Sequence, residues 1–382
     1  MHLQKIHLRN FRNYIVLDLF PHTHFNCLYG PNGTGKTNLL EAIYFLINLQ
    51  SFRRAARAKM TREENGEMYL RGDFGRGGGE KGVRLEAAIE GPSRKYKVNG
   101  VEEVDLPAYL DRVHAVIFFP ESLRFVKEGP HLRRVAFDRA VAAEDGRHLM
   151  DSREYARLLV ERNRILKHHT DSGMIDVWEE RLLDVAARIT VRRCIYLKTL
   201  RQHITAVGER MGAGALLEIR YLRGAAGRRA GDWETALKEL PGGADPEKET
   251  KKFLGETAGT LRDKEREWGR TLWGPHLDEF ELRWGGRSAK EAASQGEQRL
   301  LMVVLTMAAA ESYTKKRGDE PIVLLDDLSS ELDKKRKGAV LEYLKTTGAQ
   351  VFVTATEKQN ISGDAGMHLV ENGKIFSNQA KR

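Results

Sequence analysis

The chain is poor in cysteine, with only Cys27 and Cys194 among 382 residues. That excludes a disulfide-stapled scaffold and fits a reducing cytoplasm, with Cys27 read as a small core residue. No stretch approaches the roughly 20 apolar residues of a membrane span. The start, Met1 to Ile6, lacks the apolar core of a signal peptide, so the sequence is read as that of a cytoplasmic, non-membrane protein. There is no internal repeat and no low-complexity tract. Acidic residues are in deficit, 54 against 63 Lys and Arg, for a net charge of +9 and a pI near 9.4. Such a balance favours a polyanionic partner, nucleic acid first and an anionic membrane surface second. At this length the chain is long enough for two or three domains and a sizeable core.

What is present is organised around Gly30-Pro31-Asn32-Gly33-Thr34-Gly35-Lys36-Thr37, which fits G-x-x-x-x-G-K-[ST]. Phe25 to Tyr29 before it reads as a short strand, and Asn38 to Leu46 after it as a helix. In that context the glycines let successive backbone N–H groups turn inward on phosphate oxygens, and the helix start adds partial positive charge. Lys36 would reach the β- and γ-phosphates of ATP, and the Thr37 hydroxyl would hold Mg²⁺.

In chain order, residues 1–30 alternate as two strands joined near Arg9–Tyr14. The run Ser51 to Arg57 is basic; Arg53, Arg54 and Arg57 are read either as a solvated loop or as contacts to nucleotide or DNA phosphates. Residues 67–105 read as antiparallel strands, with a flexible turn at Gly75–Gly79 and the hairpin pair Asn99-Gly100. Val113 to Phe119 reads as a buried strand. From about 131 to 211 the spacing turns helical, broken at Asp171-Ser172-Gly173 into two arms. Residues 211–260 read as loops and short helices, including one near Trp233–Leu240, returning towards the first domain.

Pro321 to Leu325 is an apolar strand ending in Asp326 and Asp327. A strand end holds a carboxylate in a fixed place, as a Mg²⁺-nucleotide site requires, and Asp327 could orient or deprotonate the attacking water. Both could equally face solvent. Ser294-Gln295-Gly296-Glu297-Gln298 opens a long helix, from Arg299 to about Tyr313, and supplies a second anion-binding helix start. One ATP does not need both starts from one subunit. A head-to-tail homodimer, with Ser294 of one copy capping the γ-phosphate held by Lys36 of the other, uses both. Gln350 to Thr356 reads as one more buried strand.

At these residues the chain resembles the ATP-binding-cassette (ABC) ATPases and, among them, the RecF family of DNA repair proteins. The resemblance covers almost the whole sequence. Leu8 to Tyr14 looks like the family opening, and Gly30 to Tyr44 like its Walker A loop and helix. Phe119-Pro120-Glu121 and Val126-Lys127 with Arg133-Arg134 look like its middle motif. Gly274-Pro275-His276 with Asp278 is similar to its GPHRDD segment, Leu277 replacing the usual basic residue. Ser294 to Arg299 resembles its signature, with Glu297 where Gln is usual. Leu324 to Asp327 and Ser330 to Asp333 resemble Walker B and the D-loop.

The resemblance implies an α/β fold: a P-loop ABC-type ATPase head with a mixed sheet, split by an inserted α-helical arm domain. The divisions are 1–122 (N-terminal lobe), 123–269 (arm) and 270–382 (C-terminal lobe). It places Gly30, Pro31, Asn32, Gly33, Thr34, Gly35, Lys36, Thr37 and Asn38 on ATP, with Ser294, Gly296 and Gln298 reaching it from the partner copy. Thr37 and Asp326 hold Mg²⁺, and Asp327 and Lys36 act in catalysis. It implies a weak DNA-stimulated ATPase that binds double-stranded, gapped or junction DNA and helps RecO and RecR load RecA at gaps. Asp327 in place of the catalytic Glu, and Thr356 in place of the switch His, suit a slow conformational timer rather than a fast motor. The competing reading is the energising ATPase subunit of a membrane transporter, which the helical insertion, the Asp-Asp pair and the basic charge oppose. A nuclease would need an acid cluster beyond Asp326 and Asp327.

Overall fold

The alternating N-terminal residues form β1 (His2–Phe11) and β2 (Tyr14–Leu19), antiparallel partners across a tight turn at Arg12 and Asn13. Leu3, Ile6, Leu8 and Phe11 face inward, and a register shift between Leu3 and Lys5 explains the break in strict alternation. This is a computed structural model, and it describes residues 1–53, 60–62, 66–76, 82–91, 93–168, 172–225, 228–238, 244–328, 332–358 and 365–378. The chain divides into two units. One comprises Met1–Leu123, Val207–Gly214 and Ser294–Arg382; the other comprises Arg124–Ala206 and Ala215–Ala293.

In the first unit β1 and β2 join β4 (Glu67–Gly75), β5 (Val83–Glu90), β6 (Ser93–Val98) and β7 (Val101–Glu102) in an antiparallel sheet of order β2-β1-β4-β5-β6-β7. Asn99 and Gly100 both take positive φ, as the two-residue hairpin requires. Of the Gly75–Gly79 turn, Gly77 to Gly79 lie outside the described residues. A second, mixed sheet contains β3 (Phe25–Tyr29), β8 (Ala115–Phe118), β13 (Ile322–Leu325), β14 (Val351–Ala355), β15 (Gly366–Glu371) and β16 (Lys374–Asn378), in the order β16-β15-β3-β14-β13-β8. Its strands are parallel except for β16. Helix α1 (Lys36–Asn48) contacts strands of both sheets and is apolar almost all round, with Leu39, Leu40, Ile43, Phe45 and Leu46 fully buried. A short helix α2 (Leu106–Leu110) places the Tyr109 hydroxyl on the Leu46 carbonyl at the end of α1, 2.7 Å away.

The second unit carries α3 (Arg124–Lys127), α4 (Pro130–Glu144), α5 (Arg147–His168), α6 (Ser172–Arg210) as far as Ala206, α7 (Trp233–Lys238), α8 (Pro246–Trp268) and α9 (Ala289–Ala292). It also holds a four-stranded sheet of order β10-β9-β11-β12, built from β9 (Leu217–Ala225), β10 (Arg228–Asp232), β11 (Glu279–Trp284) and β12 (Arg287–Ser288). The inserted segment is therefore not purely helical, and residues 211–260 carry the strands β9 and β10 as well as loops and helices. The short helix expected near Trp233–Leu240 is α7, with Leu240 outside the described residues. β9 alternates, with Leu217, Ile219 and Tyr221 inward; it forms a local antiparallel hairpin with β10 on one side and pairs with the distant β11 on the other. α8 buries Thr250, Leu254, Ala258 and Glu265, a helical stripe with little large apolar surface. Residues 270–293, which include β11, belong to this second unit. α5 and α6 are the two helical arms; of the break between them, Asp171 lies outside the described residues. After α9 the chain continues in the first unit as α10 (Gln295–Arg317), β13, α11 (Lys334–Thr346) and β14 to β16. Among the described residues no helix is long and apolar enough to cross a membrane.

The second unit is held by buried polar networks. Arg162, with no exposed side-chain surface, donates to Glu179 and Glu265 at 2.6 Å each and to Thr271 at 2.9 Å. Asp278, equally buried, accepts from the Tyr221 hydroxyl (2.6 Å), the Trp233 indole N–H (2.9 Å) and the Gly224 N–H (2.9 Å). Replacing Arg162 with Met would leave the buried Glu265 carboxylate without its cation, while Glu179 keeps Arg262 at 2.8 Å. We expect Arg162→Met to lower stability by about 3–5 kcal/mol in urea unfolding, the usual cost of removing one partner of a buried ion pair.

Candidate nucleotide site

The mixed sheet places the site because its neighbouring strands β3, β14 and β13 are parallel and their C-terminal ends open on the same edge. The P-loop leaves β3, Asp326 leaves β13, and β14 lies between them. Asp326 Oδ1 accepts a hydrogen bond from Thr37 Oγ1 at the start of α1 (2.9 Å) and another from Thr354 Oγ1 on β14 (2.8 Å). The Asp326 N–H is fixed on the Phe118 carbonyl of β8 (2.9 Å), and the Asp327 N–H donates to Thr354 Oγ1 (2.7 Å). One buried threonine thus orients both residues of the acidic pair. It lies within the strand predicted from the sequence, but an apolar-strand reading gives no reason to single it out.

The P-loop has the expected backbone. Gly30, at φ 145°, brings its α-carbon so close to β15 that a Cβ would stand 2.4 Å from the Val370 carbonyl oxygen. Gly35, at φ 117°, is the N-cap of α1 and offers no side-chain cap, so the N–H groups of the first turn are left for an anion. Lys36 Nζ donates to the Gly30 and Pro31 carbonyls at 2.7 Å each, which sets the ammonium at the mouth of the loop. Burial lowers its pKa, while Asp326 and Asp327 act against that, so both carboxylates are within electrostatic reach. Burial raises the pKa of Asp326; the hydrogen bonds from Thr354 and Thr37, and the charge of Arg53, oppose the rise. A cation at the carboxylate would favour the charged form in the same way.

The β1–β2 turn braces the loop. The Tyr14 hydroxyl donates to the Gly35 carbonyl (3.0 Å) and Asn13 Nδ2 to the Thr34 carbonyl (2.9 Å). Asn38 Nδ2 donates to Asn13 Oδ1 (2.8 Å), and Arg53 Nη1 to Asn38 Oδ1 (3.0 Å). Arg12 grips the buried Glu41 of α1 through two bonds of 2.7 and 2.9 Å. Arg53 therefore belongs to the P-loop surroundings, whereas Arg54 and Arg57 lie outside the described residues. Pro31, Asn32 and Gly33 are exposed at the tip of the loop.

Ser294, Gly296 and Gln298 are at the start of α10. Ser294 is its N-cap in a full capping box: Ser294 N–H and O–H both donate to Glu297 Oε2, at 2.8 and 2.7 Å. Among the described residues all of Ser294's side-chain bonds go to Glu297, none to the P-loop. Thr356 is exposed just after β14, and Asp327 takes a left-handed backbone at φ 53°. Ser330 and Glu331 of the expected D-loop lie outside the described residues; Asp333 is the N-cap of α11.

These residues suit Mg²⁺ and ATP. A hydroxyl and a carboxylate converge as hard oxygen ligands, and Oδ2 of Asp326 accepts no hydrogen bond from a described residue. Thr37 and Asp326 would hold the metal, and the loop N–H groups with Lys36 would hold the phosphates. The fold and the site together define an ABC-type P-loop ATPase head.

Comparison with known proteins agrees. Residues 2–374 match the family model described as RecF/RecN/SMC N terminal domain. The chain is 35% identical to the DNA replication and repair protein RecF of Geotalea daltonii, over 98% of this chain and 100% of that one. It is 36% identical to that of Citrifermentans bemidjiense, with the same coverage. Among solved structures it is similar to the recombination mediator protein RecF with ATP bound, at TM-score 0.83 and 28% identity, covering 99% and 98% of the two chains. An Smc head bound to a domain of ScpA shares the fold, at TM-score 0.55 and 15% identity. The chain belongs to the RecF family. The transporter alternative finds no support among these relatives.

Replacing Thr354 with Val removes both of its hydrogen bonds and keeps its shape. We expect Thr354→Val to bind ATP normally but to need more Mg²⁺ for half-maximal ATPase activity, with turnover reduced about 10–100-fold, the range for residues that orient metal ligands. An unchanged Mg²⁺ titration would show that Thr354 only packs.

Proposed function

We propose that this protein is an ATP-gated DNA-binding protein of recombinational repair and replication-fork restart. Two copies close head to tail over ATP and Mg²⁺, hold double-stranded, gapped or junction DNA, and reopen on slow, DNA-stimulated hydrolysis. RecO and RecR are its partners, through which it helps load RecA at gaps; the cytoplasm is its place of action. The observation that carries the reading is Thr37 and Asp326 meeting at 2.9 Å beside the uncapped start of α1. Its relatives are named for DNA replication and repair, and the solved neighbour is a recombination mediator of the RecFOR pathway. The net charge of +9 favours binding through DNA phosphates, with strong salt dependence and weak sequence preference.

Lys36 and the loop from Gly30 to Asn38 take the triphosphate. Asp327 orients the attacking water, its shorter side chain limiting the rate. Ser294, Gly296 and Gln298 of the second copy meet the γ-phosphate. In each copy Glu297 already holds the two Ser294 donors that the phosphate would use, so closure exchanges a carboxylate for a phosphate oxygen.

Sedimentation tests the arrangement directly. Ser294→Arg should remain a monomer with Mg²⁺ and ATP while still binding nucleotide; dimerisation that persisted would overturn the trans contact. Glu297→Gln keeps the capping geometry and removes the charge. It should dimerise at about 3–10-fold lower ATP, as expected from relieving a repulsion of roughly 1 kcal/mol, the value for two unit charges about 4 Å apart in bulk water.

A further inference from the structure

The second unit holds a cavity of about 540 Å³ that the nucleotide site does not use. Its wall includes Lys127, Arg134, Arg223 and Lys290, together with Gly129 and Pro130 at the start of α4. Three carboxylates also line it, but each has its own cation. Glu279 is gripped by Arg133 at 2.8 Å through both oxygens, Glu128 pairs with Arg124 at 2.5 Å, and Glu281 lies 3.9 Å from Arg283. Lys127, Arg134 and Lys290 have no ion-pair partner among the described residues.

The arginines are held in place. Arg134 Nη1 donates to the Asp278 carbonyl at 2.7 Å, and the Arg223 guanidinium lies 4.3 Å from the centre of the Phe253 ring. Burial, with the charge of Arg193 added, pushes Arg134 down from its ordinary pKa, and the carboxylates of Asp278, Glu279 and Asp138 offset that only in part. α4 starts in the same wall with Gly129 as N-cap and no side-chain cap, which leaves its first-turn N–H groups without that acceptor. A partly buried cation without a paired counter-ion costs stability unless something anionic completes it. The cavity offers guanidinium forks and an uncapped helix start, a donor set suited to a phosphate group. None of its described lining residues is aromatic, so no ring is there for a base to stack on, and it is far smaller than the 20 Å or so across a duplex.

We propose that this cavity takes a backbone phosphate of a single nucleic-acid strand, with Lys127, Arg134, Arg223 and Lys290 as its cations. The proposal rests on the DNA-binding function above and locates one contact that the charge balance leaves unplaced. Binding there is sequence-independent, because no base edge is read.

The test is fluorescence anisotropy of a labelled 12-nucleotide oligo(dT) across a salt series, with Mg²⁺ and a non-hydrolysable ATP analogue saturating the P-loop. Lys127→Met with Lys290→Met should weaken binding at least 10-fold. It should also reduce the slope of log K against log salt by about 0.7, the value for one phosphate of a single strand that is no longer neutralised. Arg134→Met should act in the same direction. Lys198→Met, which removes an exposed charge of α6 outside the cavity, should change binding less than 2-fold. Millimolar inorganic phosphate should compete with the oligonucleotide on the wild type but not on the double variant.

Equal losses in the Lys198 variant and the double variant would mean a diffuse field and overturn the proposal, as would competition by polyglutamate equal to that by the strand. Wild-type protein that binds neither the oligonucleotide nor a gapped duplex would remove the functional reading itself and this inference with it; wild type that binds the gapped duplex alone would remove only the inference. Wild-type binding with unaffected cavity variants would remove the inference alone. Thermal unfolding followed by circular dichroism, together with retained ATP binding, confirms that each variant is folded.

Discussion

One oxygen atom, Oδ1 of Asp326, ties the first unit's functional edge together. It accepts from a hydroxyl at the start of α1 and from another inside β14, so the phosphate loop, the central strand and the acidic strand end are fixed to one point. This works because β14 lies between β3 and β13 in the sheet, which carries Thr354 to the gap between the loop and the carboxylate. The same bonds tune the site electrostatically. They oppose the rise in the Asp326 pKa that burial imposes and so favour the anion that a magnesium ion needs.

The second unit solves a different problem with the same chemistry. Its helices are rich in arginine, and several of these are deeply buried, so its core is fastened by ion pairs as well as by apolar contact. Arg193 donates to Asp138 at 2.8 Å twice and to the Pro275 carbonyl at 2.9 Å. Asp278 collects three donors from β9 and α7. The segment Gly274 to Asp278, which stands out as a motif, is accounted for here by packing: it anchors a network. Where such networks satisfy every carboxylate in a wall but leave lysines and an arginine facing a cavity, the surplus charge is available to a ligand.

On the proposed closure, the start of α10 sets stability against function at one place. A capping box stabilises a helix by occupying its first donors, and an anion-binding helix start must offer the same donors to its ligand. Glu297 does the first in a chain whose family usually has an uncharged amide there. A slow, reversible closure over nucleotide is consistent with that exchange.

Much of this protein is legible in its residues. The P-loop is a local device, with glycine conformations, a lysine and a hydroxyl at fixed spacing, so Gly30 to Thr37 could be read directly. The long apolar helices and buried strands announce themselves by period, and β3, α1, β13 and β14 fall where the pattern puts them. In the second unit only the central pairing, β9 with β11, spans more than fifty intervening residues and leaves no mark on either segment; the flanking pairs β9–β10 and β11–β12 are local, and their short strands are lost among glycines and charges. Thr354 was hidden for a similar reason. Its neighbours along the chain are apolar, and only the order of three strands brings its hydroxyl to Asp326. Sequence alone determined the glycine-rich loop with its lysine and hydroxyl, because those features lie within a few consecutive positions. Tertiary structure decided which side chains steady them, which charges are already paired and which remain to meet a ligand, because those are relations between segments that only folding makes neighbours.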